Sequence, residues 1–159
     1  MSIEPNYVYR CRVTRVVDGD TVDVEVDLGF NMFSKDRVRL KGIDTPESRT
    51  RNKVEKKLGK ASKARLKEML AGNLFTTTMG SKKNPIFLHT SKDGKGKFGR
   101  ILGTLWKDGA NINDALIDEG HARPYEGGSK GELGPWVKEI NGTWHKWTLN
   151  GYLEISDGE

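Results

Sequence analysis

The 159-residue chain is long enough to bury one core, and its 35% hydrophobic content excludes a disordered protein, while no apolar run is long enough to span a membrane. A single cysteine, Cys11, excludes an intrachain disulfide and a cysteine zinc cluster. The net charge of +5 hides an asymmetry: residues 49–107 hold 16 Lys and Arg against three acids (Glu55, Glu68, Asp93), and the remainder is acidic, a pattern that points to a polyanionic partner, nucleic acid first.

In chain order, residues 1–12 lack the apolar centre of a secretory signal, so the expectation is an intracellular protein. Tyr7–Val17 alternates apolar and polar residues as a half-buried strand does. Asp18-Gly19-Asp20 is a turn signal, and Thr21–Leu28 alternates again, with Val22, Val24, Val26 and Leu28 expected inward. A connection over 29–36 leads to a third strand, R-V-R-L-K-G-I, in which Arg37, Arg39 and Lys41 alternate with apolar neighbours. Asp44-Thr45-Pro46-Glu47 then ends the ladder, because Pro46 has no N–H and forces Thr45 extended. Two carboxylates three residues apart, with carbonyls between, suit a hard cation, and the arginine on the preceding strand suits a phosphate.

Lys60–Ala71 has helical spacing, with Ala61, Ala64, Leu66, Met69 and Leu70 on one side. Leu74–Thr78 and Ile86–Thr90 are candidate strands, followed by a Gly/Lys-rich loop at 93–96 that we expect to be mobile. Arg100–Trp106 is a further strand, and Asn111–Glu119 is a short helix with an asparagine N-cap. In the tail, Trp136, Ile140, Trp144 and Trp147 fall at helical spacing, yet Asn141-Gly142 and Asn150-Gly151 are hairpin turns; hairpins are the preferred reading. The order of elements, mostly meander-linked strands with a helix after the third, implies an α+β, mainly β domain. It would be a five-stranded OB-fold Greek-key barrel with an inserted helix and a short second helix. Residues 1–126 would form this domain and 127–159 a tryptophan-rich extension packed on it.

Four fragments, V-V-D-G-D-T-V, R-L-K-G-I-D-T-P-E, K-F-G-R and D-G-x-x-I-N-x-A-L-I-x-E-G-H-A, occur in this order between Tyr7 and Tyr125. Together they resemble the staphylococcal nuclease (thermonuclease) family. The resemblance implies an OB-fold barrel that hydrolyses DNA and RNA phosphodiesters with Ca²⁺. It further implies that Asp20 and Asp44 ligate the metal by carboxylate and Thr45 by its carbonyl. Glu47 would be the general base for an attacking water, Arg39 and Arg100 would grip the scissile phosphate, and Lys97, Phe98 and Tyr125 would contact substrate. Phe98 stands where the family's best-known member has tyrosine, so stacking on a base is retained and a hydroxyl-to-phosphate bond is not. Asp18 reads as a structural group of its turn, and His89, His121 and His145 have no ligand spacing. The rival readings are a non-catalytic OB-fold module that binds nucleic acid and a protein-interaction module presenting the tail. Retention of Asp44, Glu47 and both arginines favours the enzyme, expected as a monomer.

Overall fold

The computed structural model describes residues 3–71, 85–95, 101–127 and 130–155, without the side chains of 92–95 and 130–131. Leu74–Thr78, Lys97, Phe98 and Arg100 therefore lie outside the described residues.

Strands β1 (Val8–Asp18), β2 (Thr21–Gly29) and β3 (Met32–Leu40) form the expected meander. Alternation puts Val22, Val24 and Val26 inward opposite Cys11 and Val13 of β1. Leu28 departs from the expectation: it is 46% exposed, on the wall of a cleft that it lines with Tyr9, Val26, Leu88 and Ile101. The link to β3 is also tighter than the sequence suggested, since Gly29, Phe30 and Asn31 all take positive φ and reverse the chain at once. After a turn at Gly42, β4 (Ile43–Asp44) leaves the barrel.

Helix α1 (Lys53–Met69) begins seven residues before the predicted start, because Asn52 caps it by accepting from the amides of Val54 and Glu55. Its buried residues are Gly59, Ser62 and Leu66, with Leu70 following at the C-cap, whereas Ala61 and Ala64 are exposed. The small residues have a reason. A Cβ on Gly59 would lie 2.5 Å from the Glu47 carbonyl, and one on Gly19 would lie 2.8 Å from the Ser62 Cβ. The helix thus presses against both the β1–β2 turn and the D-T-P-E segment, at a distance that larger residues forbid.

Strands β5 (Ile86–Lys95) and β6 (Ile101–Lys107) return antiparallel, and β5 runs through Asp93-Gly94-Lys95, where a loop was expected. Parallel pairing of Val38, Arg39 and Leu40 with Ile101, Leu102 and Gly103 closes β1, β2, β3, β5 and β6 into a barrel. This is the mainly β, OB-like architecture that the order of elements implied. After β7 (Ala110–Asn111), Asn111 caps helix α2 (Ile112–Asp118). Buried Asn113 then donates to the carbonyls of Lys41 and Gly103 and accepts from the Leu105 amide, tying the end of β3 to β6. Strand β8 (Arg123–Pro124) pairs with β4, aligning Arg123 with Asp44. A one-turn helix α3 (Lys130–Leu133), absent from the sequence reading, precedes β9 (Val137–Ile140), β10 (Thr143–Thr148) and β11 (Gly151–Glu154). The Asn-Gly turns prevail over the helical tryptophan spacing: Asn141 and Gly142 both have positive φ, as a tight hairpin requires.

Val13, Val22, Val38, Leu40, Ile43, Leu66, Leu88, Leu105 and Leu116 are central to a core that α1 and α2 complete. Cys11 belongs to it at 2% exposure, and burial pushes its thiol up to about 12. Cys11 is therefore expected to react with a thiol reagent only as fast as the protein unfolds globally; rapid labelling of the native chain would contradict this packing. Gly59→Ala should lower stability in urea by about 1–3 kcal/mol through overpacking. Helix propensity alone would raise it by about 1 kcal/mol, so a more stable variant would show that α1 is not pressed against Glu47.

Candidate active site

Three charged groups on different elements meet where β2 begins and β3 ends. The register pairs Thr21 with Arg39, and the Leu40 amide donates to the Asp20 carbonyl at 2.8 Å. Arg39, alternate to buried Val38 and Leu40, therefore projects toward Asp20, with Nη1 2.7 Å from Oδ2. The other oxygen of Asp20 accepts from the Thr21 hydroxyl at 3.0 Å, and Oδ2 also accepts from the Thr45 amide at 3.2 Å. Arg37, two residues earlier, takes another course. It pairs at the surface with Asp23, whose carboxyl its guanidinium holds below the usual range.

Asp44, at 2% exposure, is the second acid of the cluster. Its Oδ1 lies 3.8 Å from Arg39 Nη2, so one guanidinium faces both carboxylates. Its Oδ2 accepts from Arg123 Nε and from Trp136 Nε1, each at 3.1 Å. Arg123, also 2% exposed, lies over the rings of Trp136 and Trp147, 4.6 and 5.3 Å from their centroids. Four charged side chains thus enter the interior as two acids and two bases, the only economical way to desolvate them. Asp18 stands apart from this cluster and accepts from the Ser48 hydroxyl, which ties the β1–β2 turn to the chain just after Glu47.

Glu47 is exposed, and its amide donates to Glu55 in the first turn of α1 at 2.9 Å. It lines a cleft of about 330 Å³ together with Asp44, Thr45, Glu55, Arg123, Pro135 and Trp136. A smaller cleft of about 120 Å³ contains Arg39, Leu102 and Tyr125, whose amide donates to the Gly42 carbonyl. Arg39 of the smaller cleft and Asp44 of the larger are 3.8 Å apart at their nearest charged atoms. Of the residues singled out in the sequence, Asp20, Arg39, Asp44 and Thr45 are brought together, and Glu47 and Tyr125 line the adjoining walls. Arg123 and Trp136 were not anticipated. Their only sequence signals were an arginine before proline and one of several tail tryptophans, neither of which has a ligand spacing.

No cluster of three His, Cys, Asp or Glu able to hold a metal occurs among the described residues. The donors on hand are the oxygens of Asp20 and Asp44 with neighbouring backbone carbonyls. That all-oxygen set fits a hard cation whose remaining ligands are water, and it excludes a soft or tightly caged metal.

A family model described as "Staphylococcal nuclease homologue" matches residues 37–134. A thermonuclease of Staphylococcus intermedius is 32% identical over 111 residues, covering 70% of this chain and 56% of the relative. An uncharacterized endonuclease of Escherichia coli is 32% identical over 116 residues, covering 72% and 60%. Endonuclease YncB of Bacillus subtilis (strain 168) is 30% identical over 110 residues, covering 69% and 44%. The chain thus spans about half the length of the curated relatives it matches.

Proposed function

The chain belongs to the staphylococcal nuclease family, and on that premise we propose that it is a Ca²⁺-dependent nuclease hydrolysing phosphodiester bonds of DNA, RNA or both. The observation that carries this reading is the convergence of Asp20, Arg39 and Asp44 in one buried ion-pair cluster opening on a cleft that Glu47 lines. No helix among the described residues is long and apolar enough to cross a membrane. The basic segment that follows Glu47 supplies exposed lysines at 53, 56, 57 and 60 on α1, and the polyanionic substrate accounts for them.

Asp20 and Asp44, with the Thr45 carbonyl, would hold the cation. Bound Ca²⁺ supplies positive charge that neutralises the phosphodiester and stabilises charge building on its oxygens. Arg39 adds a planar fork matched to two phosphate oxygens. Arg100 would grip the same phosphate from the start of the neighbouring strand. Glu47 takes a proton from a water; the water oxygen forms a bond to phosphorus as the ester P–O bond breaks, and the leaving oxygen takes a proton from solvent, giving a phosphomonoester and an alcohol. The Glu47 backbone is fixed for this by its bond to Glu55 and by the close approach of Gly59. Lys97, Phe98 and Tyr125 would contact the flanking nucleotide, with Tyr125 beside Arg39 in the smaller cleft. Residues 1–126 would form the catalytic domain and 127–159 the extension, and the active unit would be a monomer within the cell.

Two carboxylates and a carbonyl make a weak site, so Ca²⁺ should bind with a dissociation constant on the order of 10⁻⁴–10⁻³ M. Cleavage of plasmid DNA or RNA should stop on chelation and return with Ca²⁺, poorly with Mg²⁺; full activity after exhaustive chelation would reject the metal assignment. Arg39→Lys should cost roughly 10²–10³-fold in kcat, the scale of losing one transition-state donor. Glu47→Gln should cut turnover while leaving Ca²⁺ and nucleotide binding near wild type, and Asp44→Asn should weaken Ca²⁺ instead. Single-turnover rates beside Ca²⁺ titrations separate these roles, and wild-type cleavage by both Arg39→Lys and Glu47→Gln would place the active site elsewhere.

A further inference from the structure

Trp136 lies beyond the segment that the family model matches, yet it reaches the centre of the site. Its indole N–H donates to Asp44 Oδ2 at 3.1 Å, across 92 residues of chain, with both side chains buried. We propose that Trp136 is a positioning residue for Asp44: its N–H, together with Arg123, fixes the rotation of the carboxylate that the proposed function assigns to the metal.

The geometry distinguishes this role from packing. Oδ2 carries two donors, Arg123 Nε and Trp136 Nε1, approaching from different elements, and two directional bonds to one oxygen leave the carboxylate little freedom to turn. The remaining oxygen, Oδ1, is thereby held toward Arg39 and the Asp20 side of the site. The indole is itself fixed. The Trp147 amide donates to the Trp136 carbonyl at 2.8 Å, and the two rings meet edge to face with centroids 5.9 Å apart. Behind the site, Arg123 is held by the β4–β8 pairing and by both indole faces. A tail that only covered apolar surface could satisfy a polar ring group on its own backbone, as the Tyr152 hydroxyl does on the Pro135 carbonyl. Trp136 instead places its single donor on a buried carboxylate of the barrel. Partners that orient a ligand of this kind typically change metal affinity by about 10–100-fold when removed.

The inference rests on Asp44 being a metal ligand, so the experiment tests the two separately. Ca²⁺ titrations and thermal unfolding would be measured on the full chain, on Trp136→Phe, which keeps a ring and removes the N–H, and on Trp144→Phe and Asp44→Asn. Trp136→Phe should weaken Ca²⁺ binding by about 10-fold or more, whereas Trp144→Phe, a change to another ring of the tail, should keep wild-type affinity. Asp44→Asn should bind Ca²⁺ poorly. Wild-type affinity in Trp136→Phe with weakened binding in Asp44→Asn would overturn the positioning role alone. Wild-type affinity in Asp44→Asn would overturn the metal assignment, and the positioning role with it. If Trp136→Phe does not fold, the wild-type chain still decides: the indole N–H resonance of Trp136 should shift along the Ca²⁺ binding isotherm, and a resonance unmoved at saturation would overturn the proposal.

Discussion

The cluster of Asp20, Arg39, Asp44 and Arg123 is the constraint on which the rest of the structure depends. Removing four charges from water is costly, and attraction recovers that cost only when the geometry is close and the remaining hydrogen-bonding capacity is met. Here each acid has several donors: Asp20 takes Arg39, the Thr21 hydroxyl and the Thr45 amide, and Asp44 takes Arg123 and Trp136. Those donors come from β2, β3, β8 and the segments that follow β4 and α3. Each of these elements must dock correctly for the cluster to form, so the cluster enforces one arrangement of the chain around it.

The barrel and the helix share the task of holding the D-T-P-E segment. Asn113 bonds the end of β3 to β6, which fixes where the chain leaves the barrel. Ser48 is tied to Asp18 of the first hairpin, and α1 closes on the backbone of Glu47 through Gly59. Packing at this distance acts together with the bond from the Glu47 amide to Glu55 in fixing the segment. It also explains why the buried face of α1 carries glycine and serine where an ordinary amphipathic helix would carry leucine.

Much of the fold was legible because it is written in local chemistry. Strict alternation from Thr21 to Val26 requires a half-buried strand, and positive-φ residues at Asn141-Gly142 require a tight turn. The same holds for the Asn111 cap of α2. Local patterns failed where the outcome depended on what lay opposite. Leu28 continues the alternation but lines the wall of an open cleft, and Ala61 and Ala64 satisfy helical spacing but face solvent because the contact made by α1 needed Gly59 and Ser62.

The candidate site divides along the same line. The sequence by itself singled out Asp20, Arg39, Asp44, Thr45 and Glu47 as candidates, through fragments that resemble the staphylococcal nuclease family and place a turn, a strand and a proline stop in that order. It also implied the barrel, through the order of mostly meander-linked strands with a helix after the third. Only the tertiary structure decided which charges would be buried together. Arg37 and Arg39 look alike in sequence, but pairing with β2 sends one to Asp23 at the surface and the other to Asp20. Arg123 and Trp136 join Asp44 from 79 and 92 residues away. No local pattern encodes such a meeting, because it arises from the closure of the barrel and the docking of the tail, where distant side chains must satisfy one another's buried polar groups.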